Sequence, residues 1–501
     1  MISFKIGKTR VSMGRPRRMA HAPKSVKGRY DAAQTNAMNS NWWKNADSLS
    51  ADEANNPQVR QILRDRCRYE DANNSYIRGI KNDHAHSVIG TGPRLEFLSG
   101  DPMVDDAVEQ AFMDWSNGIK LPKKLRTMMK AAMVDGEAFL KETRNFNARS
   151  EVQLDFELVE AELCSSQNFS NTEKNIDGVI LGDNNKPIAY TFLKEHPGGQ
   201  DAFLNGFQDL VRLNADQVIH FFQMERSGQH RGITEFAPAL EVGYKFRDFT
   251  LSTVDAARIA SKHTGILHTS SAETFDDSDS ESDADDEFSP FDNVPIENGM
   301  MLTLPEGYDM KQFKPEQPTA NYKDFKQEGV KETGRSIGMP AVVSLGDASG
   351  ANFASGRLDH LKYGKTVGIR QKDVEEDVLY AMFMKFFMEA RLIDGLLPME
   401  VVGPGYVPRF AWFFDGDGAI DPSKEATART KNLESKSTTY AEVYGEKGRD
   451  WKKAFDQMAK EQAYAKQIGL ELTEPEPAAQ PQSPAQAGMV EEIIDELQEQ
   501  S

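Results

Sequence analysis

Gly364, Lys365 and Thr366 have the residue types that end a phosphate-binding loop, where a lysine and a hydroxyl contact a nucleotide. That motif requires a glycine five residues before Gly364, and Asp359 stands there instead. The motif also follows a buried strand, whereas these residues lie in a segment whose apolar spacing predicts a helix. The sequence therefore does not predict a nucleotide site here.

Other residues have types that bind metal ions but lack the spacing. His84 and His86 form an HxH pair without a third ligand, so histidines at a helix end are the simpler interpretation. The DGDG sequence at Asp415 lacks the later acidic ligands of a calcium loop, so an ordinary turn is expected. Cys67 and Cys164 lie far apart and outside any CxxC pattern, which argues against zinc and disulfides and favours a reducing compartment. The sequence predicts no metal site and no cofactor.

Catalytic signatures are also missing from the sequence, which shows no GxSxG stretch, no cysteine–histidine pair and no pair of carboxylates that stands out as catalytic. We therefore predict no catalytic residue and a chain that is not an enzyme. Catalytic residues that meet only in space leave no fixed spacing, so an enzyme with an unrecognised site stays open as an alternative.

The composition is that of a folded protein with an acidic excess. The 501 residues suffice for several packed units, and the net charge is −19. No run of 18 apolar residues occurs, so no membrane span is expected, and the basic N-terminus is not followed by the apolar segment of a secretory signal. An acidic chain is not expected to grip nucleic acid over its whole surface, but it suits a conduit through which nucleic acid slides.

Charge is concentrated in particular segments. Residues 1–30 carry nine Lys and Arg and no acid. We expect a disordered basic arm there, with contact to nucleic acid or to an acidic neighbour as the alternative. Residues 273–287 carry nine acids and no base and are expected to be disordered. Residues 473–501 are expected to form a flexible linker and a short acidic helix, which is either a docking peptide for scaffold or shell proteins or a frayed tail.

Hydrophobic periodicity predicts a mixture of helices and strands. Helices are expected over the ranges 51–82, 125–140, 239–263, 321–337, 355–393 and 448–469. Two more are expected to begin at Asp101 and at Asp421, each with a proline (Pro102 or Pro422) in the first turn. A kink is expected at Gly364 or Gly368 in the helix over 355–393. Strands are expected near Leu95, from Val152, in a hairpin from Gly178, from Gln217, in the LPMEVVG segment from Leu397 and in the RFAWFF segment from Arg409. Two apolar pieces on either side of the acidic segment, near Gly265 and Gly299, are expected to pair as strands.

The stretch from Met339 to Arg357 joins two of these helical regions and is rich in Gly, Ala and Ser. Small residues with free backbones are typical of a loop that bends or lets another object pass closely. Asp347 is the only charge in this stretch before Arg357. We therefore predict an exposed loop whose partner moves past it.

Several stretches together resemble the lambda-type portal proteins of tailed bacteriophages. They are YDAAQ near Tyr30, LRDRCRYEDANNSYIRG, SVIGTGPRLEF, RSGQHRGITEFAPAL, GMPAVVSLGDASGANFASGR, IDPSKEA and GRDWKKAFDQMAKEQAYAKQIGL. They follow the family's order from about Tyr30 to Leu470. Two features depart from the pattern: Ser227 replaces an expected proline, and the acidic insertion is not a feature associated with the family.

The resemblance implies an α+β portal fold with a wing, a stem, a clip and a crown, assembled as a ring. The implied division is a basic arm at 1–30, wing at 31–238, first stem helix at 239–263, clip at 264–318 with the acidic insertion at 273–287, second stem helix at 319–338, tunnel loop at 339–356, wing-to-crown helix and strands at 357–420, crown at 421–472, and the terminal segment at 473–501.

The resemblance also implies the residues that face DNA or partners. The tunnel loop would present Ser344, Gly346, Asp347, Ser349, Gly350 and Asn352. Basic residues of the second stem helix would face the channel, unless they form a solvated face with intrahelical pairs: Lys323, Lys326, Lys331 and Arg335. The clip would carry the acidic residues Asp276, Asp277, Asp279, Glu281, Asp283, Asp285, Asp286 and Glu287, either as a spacer or as a docking site for a basic partner.

The implied function is that of a portal at one capsid vertex, a structural channel for DNA packaging and ejection. The implied partners are further copies in a ring, commonly a dodecamer, double-stranded DNA, the terminase large subunit, the head–tail adaptor, and the major capsid and scaffold proteins, with no membrane. The implied location is the virion, with the host cytoplasm during assembly. The alternative from another class is a different ring-forming virion component, such as a head–tail adaptor or baseplate subunit.

Overall fold

The computed structural model describes residues 2–6, 9–13, 39–166, 171–172, 174–199, 209–262, 266–269, 308–311, 322–347, 349–350, 353–415, 422–445 and 451–469. Asn352, Asp421, the acidic segment 273–287 and the terminal segment 473–501 lie outside these residues. The predictions made for these residues therefore stay predictions.

Helices account for most of the regular structure in these ranges. They are α1 (Ala51–Ala54), α2 (Pro57–Asn73), α3 (Ser75–Ile89), α4 (Pro102–Gly118), α5 (Leu121–Asp135), α6 (Leu240–Lys262), α7 (Tyr322–Arg335), α8 (Ala341–Leu345), α9 (Phe353–Val374), a π-helical turn (Glu375–Leu379), α10 (Tyr380–Ala390), α11 (Met399–Val402), α12 (Pro422–Glu434), α13 (Tyr440–Gly445) and α14 (Trp451–Gln467).

The strands form small antiparallel sheets. They are β1 (Ile2–Ile6), β2 (Thr9–Met13), β3 (Arg94–Phe97), β4 (Glu137–Arg144), β5 (Leu154–Val159), β6 (Asn171–Thr172), β7 (Asn175–Ile176), β8 (Val179–Leu181), β9 (Pro187–Leu193), β10 (Leu210–Asn214), β11 (Val218–Phe222), β12 (Ile266–Thr269), β13 (Tyr308–Lys311) and β14 (Phe410–Phe413). The sheet orders are β1-β2, β10-β9-β8-β7-β6, β11-β4-β5, β12-β13 and β14-β3.

The main core lies where α3, α4, α5 and α10 meet the sheets β11-β4-β5 and β14-β3. Aromatic rings dominate it, with Phe112 5.3 Å from both Trp115 and Phe386 between ring centroids. Trp115 also donates its indole N–H to the carbonyl of Leu154 at 2.8 Å, which satisfies the polar atom of a fully buried ring. A second core around Phe139 packs the five-stranded sheet onto the three-stranded one.

Several predicted elements are confirmed by the structure. Asp101 caps α4 through a hydrogen bond to the N–H of Met103, with Pro102 in the first turn. The hairpin from Gly178 is β8-β9, and the strands from Val152 and Gln217 are β5 and β11. The pairing expected across the acidic segment is also present, because Ile266 lies opposite Lys311 and Thr269 opposite Tyr308 in an antiparallel register.

Other predictions were wrong in part. The helix expected over 125–140 ends at Asp135, because Gly136 adopts a φ of 92° and a Cβ there would clash with the backbone of Ile233. The LPMEVVG segment is the short helix α11, which Pro398 precedes, rather than a strand. The irregularity in the long helix over 355–393 is the π-helical turn at Glu375–Leu379 and does not fall at the glycines.

The N-terminal arm was expected to be disordered, but residues 2–13 include a hairpin. Ile2 pairs with Met13 and Ile6 with Thr9 in an antiparallel register. The physical reason is visible in the sequence, since apolar and polar residues alternate in both strands and Gly7 with Lys8 separates them.

Candidate functional site

Helices α6 and α7 form an antiparallel pair that leads to the small-residue stretch. Phe246 of α6 packs 5.0 Å from Phe325 of α7, and Phe249, further along α6, lies 6.1 Å from Tyr322, further back on α7. The ring of Phe246 also fills the space where Gly329 has no side chain. This close approach explains the glycine inside α7, where it otherwise disfavours helix by about 1 kcal/mol.

The stretch that follows α7 was expected to be a loop throughout, but it contains the helix α8. Ser344 of α8 is buried against Gly334 of α7, and its hydroxyl donates to the carbonyl of Ala341 at 3.2 Å. Gly346 then ends α8 with a φ of 61°, a conformation that favours glycine. Ser344, which was predicted to belong to the tunnel loop, is thus docked on α7 by α8.

The exposed part of the stretch begins at Gly346. The carboxylate of Asp347 accepts a hydrogen bond from the N–H of Ser349 at 2.9 Å. Hydrogen bonds from Ser349, with a smaller contribution from Lys323, lower the pKa of Asp347. Ser349 and Gly350 are exposed, and nothing lies within 4 Å of the position that a Cβ on Gly350 would occupy. These residues form a charge-poor surface of small side chains at the end of α8.

The four basic residues of α7 do not share one environment. The ammonium of Lys326 lies over the ring of Tyr76 at 5.4 Å and that of Tyr322 at 6.0 Å, so it faces α3. Lys331 pairs with Glu328 at 2.6 Å. Arg335 lines a groove with Met339 and Asp359. Lys323 and Arg335 are both exposed.

The residues that resembled chemical motifs have structural roles. Gly364, Lys365 and Thr366 lie inside α9, which excludes a phosphate-binding loop at this position. His84 is buried, with Nδ1 3.1 Å from the Tyr363 hydroxyl, and burial lowers its pKa to about 4 with a further contribution from Arg370. These contacts join α3 to α9.

Asp415, the first residue of the DGDG sequence, fastens a turn. Its carboxylate accepts the N–H of Thr91 at 2.6 Å and the Thr91 hydroxyl at 3.0 Å. It thereby fixes the Gly-Thr-Gly turn before β3 to the end of β14. Cys67 and Cys164 are both buried, and burial raises the pKa of each thiol to about 12, so neither is a reactive thiolate.

One group of potential metal ligands was not expected from the sequence. Oxygen and nitrogen atoms of Glu160, Glu162 and His196 lie within 4.8 Å of one another. Arg68 donates to Glu162 at 2.8 Å and lies 3.8 Å from Glu160, so a guanidinium already supplies positive charge to these carboxylates. Because a cation would face this guanidinium, we do not assign a metal site here.

A buried ionic network was also missed by sequence reasoning. Arg231, from the RSGQHRG stretch, donates to Glu137 with Nε at 2.9 Å and Nη2 at 2.7 Å, and its Nη1 donates to the carbonyl of Cys164 at 3.1 Å. His220 lies 3.1 Å from Glu137, and Arg60 pairs with Asp177. The network joins β4, β11 and the five-stranded sheet to α2.

Electrostatics explain why this network keeps its charges. Burial opposes ionisation of Glu137, but Arg231 and His220 outweigh it and hold the pKa of Glu137 well below its ordinary value of 4.5. Burial lowers the pKa of His220, and burial together with Arg231 lowers that of Arg60 to about 10. A search for chemical motifs along the sequence misses the network because Glu137 and Arg231 are 94 positions apart.

The sequence also matches a known protein family. Residues 35–371, more than half of the chain, match the family described as phage portal protein, lambda family. The chain therefore belongs to the lambda family of phage portal proteins. It is a portal protein of a phage or phage-like particle and a structural component of the virion.

A curated relative and several solved structures are similar to the chain. The "Probable portal protein" of Halomonas phage phiHAP-1 is 24% identical over 463 residues, covering 88% of this chain and 87% of the relative. A chain from the neck of an empty gene transfer agent particle has a TM-score of 0.41 at 12% identity, covering 76% of this chain and 92% of that one. A chain from the virion of the native particle has a TM-score of 0.37 at 14% identity, covering 64% and 86%.

None of the helices in the described ranges combines the length and the apolar character that crossing a membrane requires.

Proposed function

We propose that copies of this chain form a ring at one capsid vertex and that double-stranded DNA passes through its centre during packaging and ejection. The ring would bind the terminase large subunit and later the head–tail adaptor, and the major capsid and scaffold proteins would surround it. Family membership supports the portal role. The observation that carries the channel is the antiparallel pair α6–α7, followed by the exposed residues Gly346, Asp347, Ser349 and Gly350.

The chemistry of these exposed residues supports a channel lining. In a ring, every residue of the lining is repeated once per subunit, so a single basic side chain would become a collar that binds phosphates. The described residues between Gly346 and Gly350 instead carry one charge, that of Asp347, whose carboxylate is held by Ser349. A lining with little positive charge lets DNA move, whereas the exposed Lys323 and Arg335 of α7 would supply attraction.

The remaining regions follow from the same arrangement. Residues 31–238 would form the wing, α6 and α7 the stem, 264–318 the clip, and 421–472 the crown. The pairing of β12 with β13 supports a separate clip, because it closes the segment between the stem helices on itself. The clip would face the terminase and the adaptor, with the acidic residues 273–287 as a spacer or a docking site.

Electron microscopy of the purified protein tests the ring. Negatively stained particles should show rings of about a dozen subunits with a central hole, and the purified chain should not hydrolyse ATP. A chain that stays monomeric across salt and concentration series, including with scaffold protein present, would contradict the ring. ATP hydrolysis by the chain alone would favour the enzyme alternative.

Packaging of DNA tests the channel lining. Gly350→Trp should leave rings intact, because open space surrounds Gly350, but it should reduce the DNA packaged per particle by placing a bulky side chain in the channel. Gly403→Trp is the matched control, since Gly403 also has nothing within 4 Å of a Cβ position and a φ of −56°. Equal packaging by the two variants would show that the loop does not line the channel.

A further inference from the structure

Helix α9 exposes apolar side chains on one face. Leu358, Leu361 and Ile369 are 66%, 59% and 64% exposed. Their spacing places them on one side of the helix, together with the exposed Lys365. Apolar residues at such spacing normally face a core, and a stripe of this kind on the surface is typical of a contact with another protein.

Helix α6 exposes a second stripe of the same kind but with acidic residues. Tyr244, Leu251 and Val254 are each more than half exposed. Asp248 and Asp255 lie on the same face, one turn from Tyr244 and Leu251, and Asp255 pairs with Arg258 at 3.2 Å. The α9 stripe is thus apolar with Lys362 and Lys365 on its face. The α6 stripe is apolar with two aspartates and with Arg258, which pairs with Asp255.

The two stripes lie on helices with different packing partners. Helix α6 packs against α2 and α7, for example through Arg247, which donates to Glu70 at 3.0 Å. Helix α9 packs against α3 and α8, for example through Tyr363 and His84. The two stripes are therefore different faces of the protomer, and a head-to-tail contact in a closed ring joins two different faces.

From this arrangement we propose that the α9 stripe of one copy packs against the α6 stripe of the next copy, with Lys365 facing Asp248. The proposal rests on the ring of the proposed function and names its subunit contact. Burial of the exposed leucines, isoleucine and valine drives the association, and the lysine–aspartate pair sets which faces meet.

Cysteine cross-linking tests the contact directly. The native Cys67 and Cys164 are buried, so introduced surface cysteines will be the ones that oxidise. The variant Leu251→Cys/Leu361→Cys, assembled into rings and oxidised with copper phenanthroline, should give a ladder of covalent multimers on a non-reducing gel. Neither single variant should give a ladder, because a head-to-tail contact does not bring a residue against its own copy. The matched control is Leu251→Cys/Met103→Cys, since Met103 is 83% exposed on α4.

Charge exchange tests the polarity of the contact. Lys365→Asp or Asp248→Lys alone should raise the protein concentration at which half of the chains are in rings by roughly tenfold, because every subunit contact repeats the defect. The double variant should return most of the way to the wild-type value. All three should keep the wild-type circular dichroism and melting temperature of the monomer, since both residues are exposed.

The outcomes separate this proposal from the ring itself. Rings that form in the double-cysteine variant without a ladder, or with a ladder no stronger than that of the Met103 control, would overturn the contact and leave the ring standing. Failure of the double charge variant to recover would overturn the Lys365–Asp248 pair. A wild-type protein that forms no rings would overturn both the contact and the proposed function.

Discussion

Replacing Arg231 by methionine should uncouple the five-stranded sheet from the rest of the molecule. Methionine keeps much of the volume and the apolar stem of arginine but removes every donor. Glu137 would retain His220 at 3.1 Å, the N–H of Gly232 at 3.0 Å and Arg64 at 3.6 Å. The carbonyls of Ala161 and Cys164 would each lose the arginine as a donor.

The loss of stability expected for Arg231→Met follows from the burial of the ion pair. The side chains of Arg231 and Glu137 are 1% and 0% exposed, so water cannot replace the lost partner. Removing one member of a buried ion pair costs about 3–5 kcal/mol, and we expect the lower part of this range because His220 and Arg64 remain. Arg231→Lys should cost less, because lysine keeps the positive charge next to Glu137. It should still destabilise the protein, because lysine lacks the planar guanidinium that reaches both Glu137 and the carbonyls.

The pH dependence of this cost has a defined sign. The pKa of Glu137 in the folded protein is lowered well below its ordinary value of 4.5, so its contribution to stability is present above that pH and is lost as the pH falls. Without Arg231, burial raises the pKa of Glu137 and allows the carboxyl to protonate. The difference between Arg231→Met and wild type should therefore be largest near neutral pH and smaller in acid.

Hydrogen exchange is the appropriate assay, because a chain with two cores is not expected to unfold in one step. Amides of β4, β8 and β9 should exchange faster in Arg231→Met, while amides of α4 and α10 should change little. The double variant Glu137→Leu/Arg231→Met should recover part of the protection, since an apolar pair removes the uncompensated charge. If Arg231→Met changes the free energy of opening at these amides by less than about 0.5 kcal/mol, which is the range of ordinary surface substitutions, the reasoning is refuted.

Further predictions concern the helix contacts, a buried histidine and the acidic segment. Gly334→Ala places a Cβ 2.5 Å from that of Ser344, and this overpacking should cost about 1–3 kcal/mol, more than the helix-propensity gain of about 1 kcal/mol. The melting temperature should therefore fall, unless Ser344→Gly is also present. An unchanged or higher melting temperature in Gly334→Ala would contradict the contact. Burial lowers the pKa of His84 from 6.5 to about 4, so the stability that neutral His84 contributes is present above pH 6.5 and declines as the pH falls. Between pH 6.5 and 5 the wild type should lose roughly 1.6 kcal/mol of unfolding free energy that His84→Leu does not lose, and parallel losses would count against the assignment. If residues 273–287 attract a basic adaptor, their replacement by a Gly/Ser segment of equal length should abolish salt-sensitive binding, and unchanged binding would leave them a spacer.

Local signals in the sequence predicted much of the fold. Asp101 with Pro102 located the start of α4, and the apolar pieces beside the acidic segment predicted the pairing of β12 and β13. The errors came where a short apolar run fits either kind of element. The run Ala138–Leu140 continued a helical pattern, and Gly136, which ends the helix, was the signal that should have decided for a strand.

The contacts of the candidate site could not be predicted in the same way. Nothing in the small residues of the stretch distinguishes Ser344, which packs against Gly334, from Ser349, which is exposed. That difference depends on how closely α7 and α8 approach, and close approach is a property of the packed backbone. Lys326 likewise has the sequence neighbours of a solvated lysine but lies over Tyr76 because α3 packs against α7.

Helix α7 holds its neighbours by glycine contacts at two points, Gly329 against Phe246 and Gly334 against Ser344. Where the backbone of α7 is packed this closely, the contacts contain no long side chain that could change its conformation and let the helices shift. Helices α6, α7 and α8 should therefore move as one rigid body. Substitutions at Ser344 or Gly346 would then change folding and function together, because one is buried and the other needs a positive φ. Asp347 and Gly350 are free of both constraints, since Asp347 is exposed and Gly350 has open space around it. Variants at these two positions can therefore report on the proposed passage of DNA without reporting on the stability of the stem.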